Sequence, residues 1–206
     1  ASDIYYPMTN GVAVFAHNLA NGLSRAGHEV MVICPSFNGR YHRRTDPKTG
    51  VTVVSCKSQR FPFYPDQISK VPDKREILGL PMPRLVYKTG IWFSFNPYAR
   101  IKKVLDEFQP DVIHLQTAEG IAIAVSRYVR KNNIPLVSTG HAYPDNITSQ
   151  LKLIRPMKRP VDAALRAYMA SFLKHSEYAT MPTEMAIEDL VPQNRKRFKV
   201  TVEPLS

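Results

Sequence analysis

Short apolar runs alternate with stretches of helical periodicity along most of this chain, on connections of only a few residues. From Gly11 to Ala26, apolar Val14, Phe15, Leu19, Ala20 and Leu23 recur at three- and four-residue spacing, which predicts a helix, and Gly27 stands where a helix ends. Glu29-Val-Met-Val-Ile-Cys34 is an almost unbroken apolar run, as expected of a strand covered on both faces, and Pro35 closes it. Asp46-Pro-Lys-Thr-Gly50 has turn chemistry, and Val51-Thr-Val-Val-Ser-Cys56 reads as the next strand. A helix over Ala99 to Phe108 carries Ile101, Val104, Leu105 and Phe108 on one face, and Gln109-Pro110 breaks it. Asp111-Val-Ile-His-Leu115 is a further buried strand, followed by a helix from about Glu119 to Lys131. Ile134-Pro-Leu-Val-Ser-Thr139 is a strand that ends at Gly140-His141. Tyr178-Ala-Thr-Met181, a short helix from Glu184, and Phe198-Lys-Val-Thr-Val202 complete the series.

Strands alternating with helices call for a parallel sheet, because each helix carries the chain back to start the next strand in the same direction. The expected class is α/β: a doubly wound, mainly parallel Rossmann-like sheet with helices on both faces. Arg60 to Pro97 departs from the pattern; it is rich in proline and aromatics, lacks periodicity, and reads as a long, partly ordered excursion. Ala1-Ser-Asp-Ile reads as the tail of a first strand, and Val200 to Ser206 stops just after a strand, so both ends read as cuts.

Composition matters chiefly through charge. Lys and Arg number 28 against 17 Asp and Glu, a formal net charge of +11, which favours partners bearing negative charge. The basic residues are spread widely and form no nucleic-acid motif, so nucleic acid is not an expected partner. Cys34 and Cys56 have no metal-ligand spacing and read as buried, reduced thiols. His42 beside Arg40, Arg43 and Arg44 reads as a solvated basic loop, and no metal site is expected. There is no apolar stretch near the ~18 residues of a membrane span and no secretory pattern. The expected location is cytoplasmic, with peripheral contact on the inner face of a membrane.

Asp3-Ile-Tyr-Tyr-Pro-Met-Thr-Asn-Gly-Val12, with His17-Asn-Leu-Ala20 and Leu23-Ser-Arg-Ala-Gly-His-Glu-Val30, resembles the opening of family-4 retaining glycosyltransferases. Gln109-Pro-Asp-Val-Ile-His-Leu-Gln116, Pro135-Leu-Val-Ser-Thr-Gly-His141 and Pro182-Thr-Glu184 resemble later signatures of the same family, in order. The first loop has one glycine where many members have two, and Gln116 stands where a histidine is frequent. The resemblance implies a GT-B architecture of two facing Rossmann-like domains. Residues 1–206 are then a single N-terminal, acceptor-side domain, with the C-terminal donor-binding domain absent from this chain. It implies a hexosyltransferase that takes a UDP- or GDP-linked sugar as donor substrate, with no further cofactor, and it implies that the fragment alone is nearly inactive.

Asn10, Gly11 and Val12 open the first helix, whose unpaired N–H groups can bind anionic oxygen; a simple strand-to-helix turn is the other reading. His141 lies at the carboxyl end of a strand, where open parallel sheets gather their sites, although a lone histidine is often structural. The resemblance implies that this histidine lies near the transferred sugar, bonds one of its hydroxyls and supports positive charge at the anomeric carbon. Glu119 can face the same cleft or serve as a first-turn acid of its helix. Tyr143 and Asp145 follow His141 closely and join the substrate-binding set. Asp3 and Tyr5 are either a solvated edge or an acceptor contact, whereas His17, His28 and His114 read as structural.

From Leu151 to Lys174, Lys152, Arg155, Lys158, Arg159, Arg166 and Lys174 accompany Val161, Leu165, Tyr168, Met169 and Phe172 at helical spacing. Such a basic amphipathic helix can lie on an anionic membrane or dock on its own sheet. Aromatics at Tyr87, Trp92, Phe93, Phe95 and Tyr98, the charge, and the likeness to lipid-glycosylating members favour a lipid acceptor such as diacylglycerol. A sugar-nucleotide epimerase and a non-catalytic basic module that binds membrane or nucleic acid are the alternatives.

Overall fold

The computed structural model describes residues 1–6, 8, 10–60, 67–68, 76–77, 80–81, 88–89, 92–141, 158–190 and 201–204. Its contacts fall into two compact units, Ala1–Gln109 with Glu119–Asn132, and Pro110–Ala118 with Asn133–Ser206.

In the first unit, helix α1 (Gly11–Arg25) leads to strand β1 (Met31–Pro35), and Gly27 takes the left-handed φ of 92° that ends the helix. Strand β3 (Thr52–Cys56) lies parallel to β1, and β2 (His42–Thr45) runs antiparallel to β3 at the sheet edge, giving the order β1-β3-β2. The expected turn closes through Gly50 N–H donating to Asp46 O at 2.8 Å. Here the basic loop is corrected: His42, Arg43 and Arg44 form an edge strand. Hydrogen bonds to β3 hold it, so no apolar alternation is needed and the sequence carries none.

Tyr5, Ala16, Ala20, Val32, Cys34, Val51 and Val53 form one core cluster, so α1 covers one face of β1 and β3. Ile33 and Val54 alternate to the opposite face. Helix α3 (Gly120–Asn132) packs against α2 (Tyr98–Phe108) and β1. At the first residue of α3 only glycine fits: a Cβ on Gly120 would stand 2.7 Å from Ser94 O and 3.0 Å from the Phe93 ring. Between 57 and 97, Gln59–Arg60 pairs with Trp92–Phe93, Gln67–Ile68 with Lys88–Thr89, and Glu76–Ile77 with Leu80–Pro81, all antiparallel and nested. The excursion thus has a hairpin ladder, which proline-rich sequence conceals. Tyr87 lies outside the described residues.

The expected first strand leaves one trace, Ser2 N–H donating to Ile33 O at 3.0 Å. Asp3 and Tyr5 are buried rather than on a solvated edge. The Asp3 carboxylate accepts from the amides of Ile121 at 2.9 Å and Ala122 at 3.2 Å, so it caps α3. Two of the donors that every helix start leaves unmet are satisfied by a charge of the favoured sign.

Both cysteines are buried and unbridged. Burial pushes both thiols up to about 12. At pH 8 neither should therefore react with a thiol reagent until the fold opens; rapid labelling of the native protein would contradict this burial.

In the second unit, β4 (Ile113–Leu115), β5 (Leu136–Thr139), β6 (Tyr178–Met181) and β7 (Thr201–Pro204) form a wholly parallel sheet in that order. Helices α4 (Lys158–Leu173) and α5 (Glu184–Leu190) close it, with Leu173, Ala179, Met181, Ala186, Ile187 and Leu190 forming the core. Each large side chain buried there stabilises by about 1.5–3 kcal/mol. Parallel strands joined in sequence through helices make the chain an α/β, Rossmann-like fold.

Candidate functional site

Two strand-to-helix stations carry the residues singled out above, one in each unit.

In the first unit, Asn10 is the N-cap of α1, with φ −126° and ψ 172°, and its Oδ1 accepts from Ala13 N–H at 2.9 Å. Val14 N–H is bonded to Asn10 O at 3.0 Å. The helix itself supplies no acceptor for the amides of Gly11 and Val12. Gly11 is exposed, and nothing lies within 4 Å of where its Cβ would be. The preceding loop is anchored on the helix. The His17 ring meets Tyr6 edge-on with centroids 4.4 Å apart, its Nδ1 lies 3.4 Å from the Tyr5 hydroxyl, and Asn21 donates to its Nε2 at 2.9 Å. Burial lowers the His17 pKa and favours the neutral ring that this arrangement needs.

Glu119 is exposed and immediately precedes α3, and its carbonyl accepts from Ile123 N–H at 2.9 Å. Because Asp3 holds the next amides of that helix, Glu119 is not the group that caps them.

In the second unit, the parallel register sets His114 opposite Val137 and Leu115 opposite Ser138. Alternation then puts His114 and Gln116 on the same face as Thr139 and His141. His114 Nε2 lies 2.8 Å from Thr139 Oγ1, which lies 2.7 Å from Thr180 Oγ1, so one polar string crosses three adjacent strands. One step further along, His141 Nε2 lies 2.7 Å from Gln116 Oε1. Gly140 N–H donates to Thr180 O at 2.8 Å, which extends the β5–β6 ladder up to His141. Burial pushes the His141 pKa down to about 4. Burial first, then nearby positive charge, pushes His114 down to about 4 as well. Both rings are neutral at physiological pH. At the end of β6, Thr183 caps α5, its Oγ1 accepting from Ala186 N–H at 3.2 Å, which explains the hydroxyl residue in that motif.

Of the basic set, Arg159 is exposed, Arg166 is half-buried, and Lys158 pairs with Asp162 at 2.7 Å across one helical turn. Val161, Leu165, Met169 and Phe172 are each half-buried on α4. Tyr143, Asp145, Lys152 and Arg155 lie outside the described residues. Among the described residues, no three or more His, Cys, Asp or Glu side chains group as a metal site. No helix of the described residues is long and apolar enough to cross a membrane.

Sequence reasoning missed three contacts: Asp3 on α3, His17 on the first loop, and Gln116 on His141. The last depends on the register of two strands, which no local pattern encodes.

A family model described as Glycosyltransferase Family 4 matches residues 9–204. The chain belongs to glycosyltransferase family 4. It is similar to the alpha-monoglucosyldiacylglycerol synthase of Streptococcus pneumoniae, with 23% identity over 98% of this chain and 37% of that protein. It is also similar to the GDP-mannose-dependent alpha-mannosyltransferase of Mycolicibacterium smegmatis, with 27% identity over 66% of this chain and 30% of that protein. The family 4 chain described here thus matches only about a third of the length of each relative. Both stations fall where the family 4 match runs, from the Asn10 loop to the end of β7.

Proposed function

We propose that this chain is the acceptor-side half of a retaining glycosyltransferase. On this reading it moves a hexose from a UDP- or GDP-linked sugar to an acceptor at a membrane surface, diacylglycerol being the preferred example. The family 4 match across residues 9–204 carries the reading. The names of the two relatives, a glucosyldiacylglycerol synthase and a GDP-mannose-dependent mannosyltransferase, support the choice of substrates.

The residue roles belong to this reading, and the geometry of the described ones supports it. The Asn10-Gly11-Val12 turn offers backbone N–H groups and open space to an oxygen-rich ligand. His141, neutral and held at a strand end, is on this reading the residue beside the sugar. Positive charge develops at the anomeric carbon during transfer, and a neutral imidazole does not repel it as an imidazolium would. Glu119, Tyr143 and Asp145 complete the substrate set. Lys152, Arg155, Lys158, Arg159 and Arg166 face anionic headgroups, and the half-buried apolar residues of α4 support that placement. The enzyme works peripherally on the cytoplasmic side of the membrane. A second Rossmann-like domain holds the nucleotide, so residues 1–206 alone are expected to transfer little or no sugar.

The test uses the whole protein, a panel of labelled nucleotide-sugars and anionic liposomes containing diacylglycerol. Labelled glycolipid is the expected product. Hydrolysis or epimerisation with no glycolipid would remove the lipid acceptor, and indifference to every nucleotide-sugar would remove the transferase.

The loop makes a separate prediction. Gly11→Ala meets no steric obstacle in the fold, so stability should change by less than about 0.5 kcal/mol. The apparent KM for donor or acceptor should rise, because the added methyl stands where the ligand approaches. Unchanged KM values for both substrates would exclude this loop from the site.

A further inference from the structure

Asn10, His17 and Asn21 follow one another at seven and four residues, which places them along one half-buried stripe of α1. The chain that precedes the helix is fastened to this stripe at two points. Asn10 caps the first turn, and two turns further on the His17 ring meets Tyr5 and Tyr6. His17 Nδ1 lies 3.4 Å from the Tyr5 hydroxyl, and Nε2 lies 2.9 Å from the Asn21 amide nitrogen. The Tyr6 ring stands edge-on to the imidazole, with centroids 4.4 Å apart. We propose that His17 is a positioning residue that pins the segment before α1, so that the Asn10-Gly11-Val12 turn meets its ligand in one conformation. The ligand at that turn rests on the transferase reading above; the pin does not.

An aliphatic side chain could not do this. Tyr5 is 1% exposed and packs in the core with Ala16 and Ala20, so its buried hydroxyl needs a polar partner from the same helix. Neutral imidazole carries one donor and one acceptor on separate sides of the ring, which suits a hydroxyl on one side and an amide on the other. Asn21, one turn along, holds the far side of the ring and sets its rotation. The Met8 amide donates to Tyr5 O at 3.0 Å, so fixing Tyr5 fixes the turn that follows it. A segment ordered by the fold does not have to be ordered by the ligand. Loss of the pin therefore weakens binding and leaves the chemical step nearly untouched.

The experiment follows hydrogen exchange at the Met8 amide and steady-state kinetics in the whole protein. His17→Leu keeps bulk and loses both polar contacts. It is expected to speed Met8 exchange and to raise KM for one substrate, each by about tenfold, the scale of one or two lost hydrogen bonds. Its kcat should stay within about twofold of wild type. His17→Asn puts an amide group where Nδ1 was and should recover most of both effects; His17→Gln puts one where Nε2 was and should not. This pair decides the matter even where His17→Leu fails to fold. Met8 exchange that only follows global stability in urea would overturn the pin, and so would rescue by glutamine but not by asparagine. If exchange responds and both KM values stay put, the turn is no ligand site and the reading of that station fails while the pin stands. If KM moves and exchange does not, the pin fails while the reading stands. If no sugar is transferred to any acceptor, the transferase reading fails and exchange alone decides the pin.

Discussion

In the whole protein, His141→Ala is expected to slow sugar transfer by about 100-fold or more, the scale on which one positioned polar group at a transition state acts. The imidazole is held from one side by Gln116 at 2.7 Å, so its place relative to the sheet does not have to be found during the reaction. Truncation also leaves the buried Gln116 carbonyl without its donor, which costs about 1–3 kcal/mol of stability. Urea unfolding of the variant, beside the rate assay, separates the two effects. The wild-type rate should show no inflection assignable to this histidine between pH 5 and 8. Its pKa is lowered from 6.5 to about 4 by burial, so the folded ring stays neutral across that range, while the stability tied to it is full only above 6.5 and is lost progressively as pH falls from there towards 4. A variant within about threefold of wild type, under 1 kcal/mol of barrier, would remove His141 from the chemistry.

Asp3→Ala should cost about 2–4 kcal/mol in urea unfolding, a large share of the stability of a domain this size. Asp3 is 4% exposed, and its two carboxylate oxygens each take one amide of α3. Alanine strands both buried amides. Asp3→Asn should lose less, because its remaining amide oxygen still accepts one of the two bonds. An Asp3→Ala protein as stable as wild type would show that the start of α3 finds other partners.

The backbone plan was legible wherever a segment advertised its burial. The apolar runs at Val32 to Cys34 and Val53 to Val54, and the periodic faces of α1, α2 and α3, needed no more than counting. β2 was not legible, because an edge strand needs backbone partners more than apolar side chains, and His42-Arg-Arg-Thr45 carries charge on an exposed rim. In the site, the strand end before His141 could be read from Leu136 to Thr139. The environment of that ring could not, since Gln116 reaches it only through a register fixed by the whole sheet. Asp3 shows the same limit at longer range: a short acidic segment next to a tight loop looks solvated until a helix 118 residues away is brought to it.

That distance also sets the order in which the protein can assemble. The first unit comprises Ala1–Gln109 and Glu119–Asn132, and β4, translated between those two pieces, belongs to the other unit. A ribosome delivers roughly 5–20 residues each second, N-terminus first. For several seconds, then, the emerging chain holds the cap without the helix it caps, and its sheet waits for α3 to meet β1. Native closure has to come from residues made late reaching back to residues made first, so a nascent chain stalled after Gln109 has no means of completing its own core.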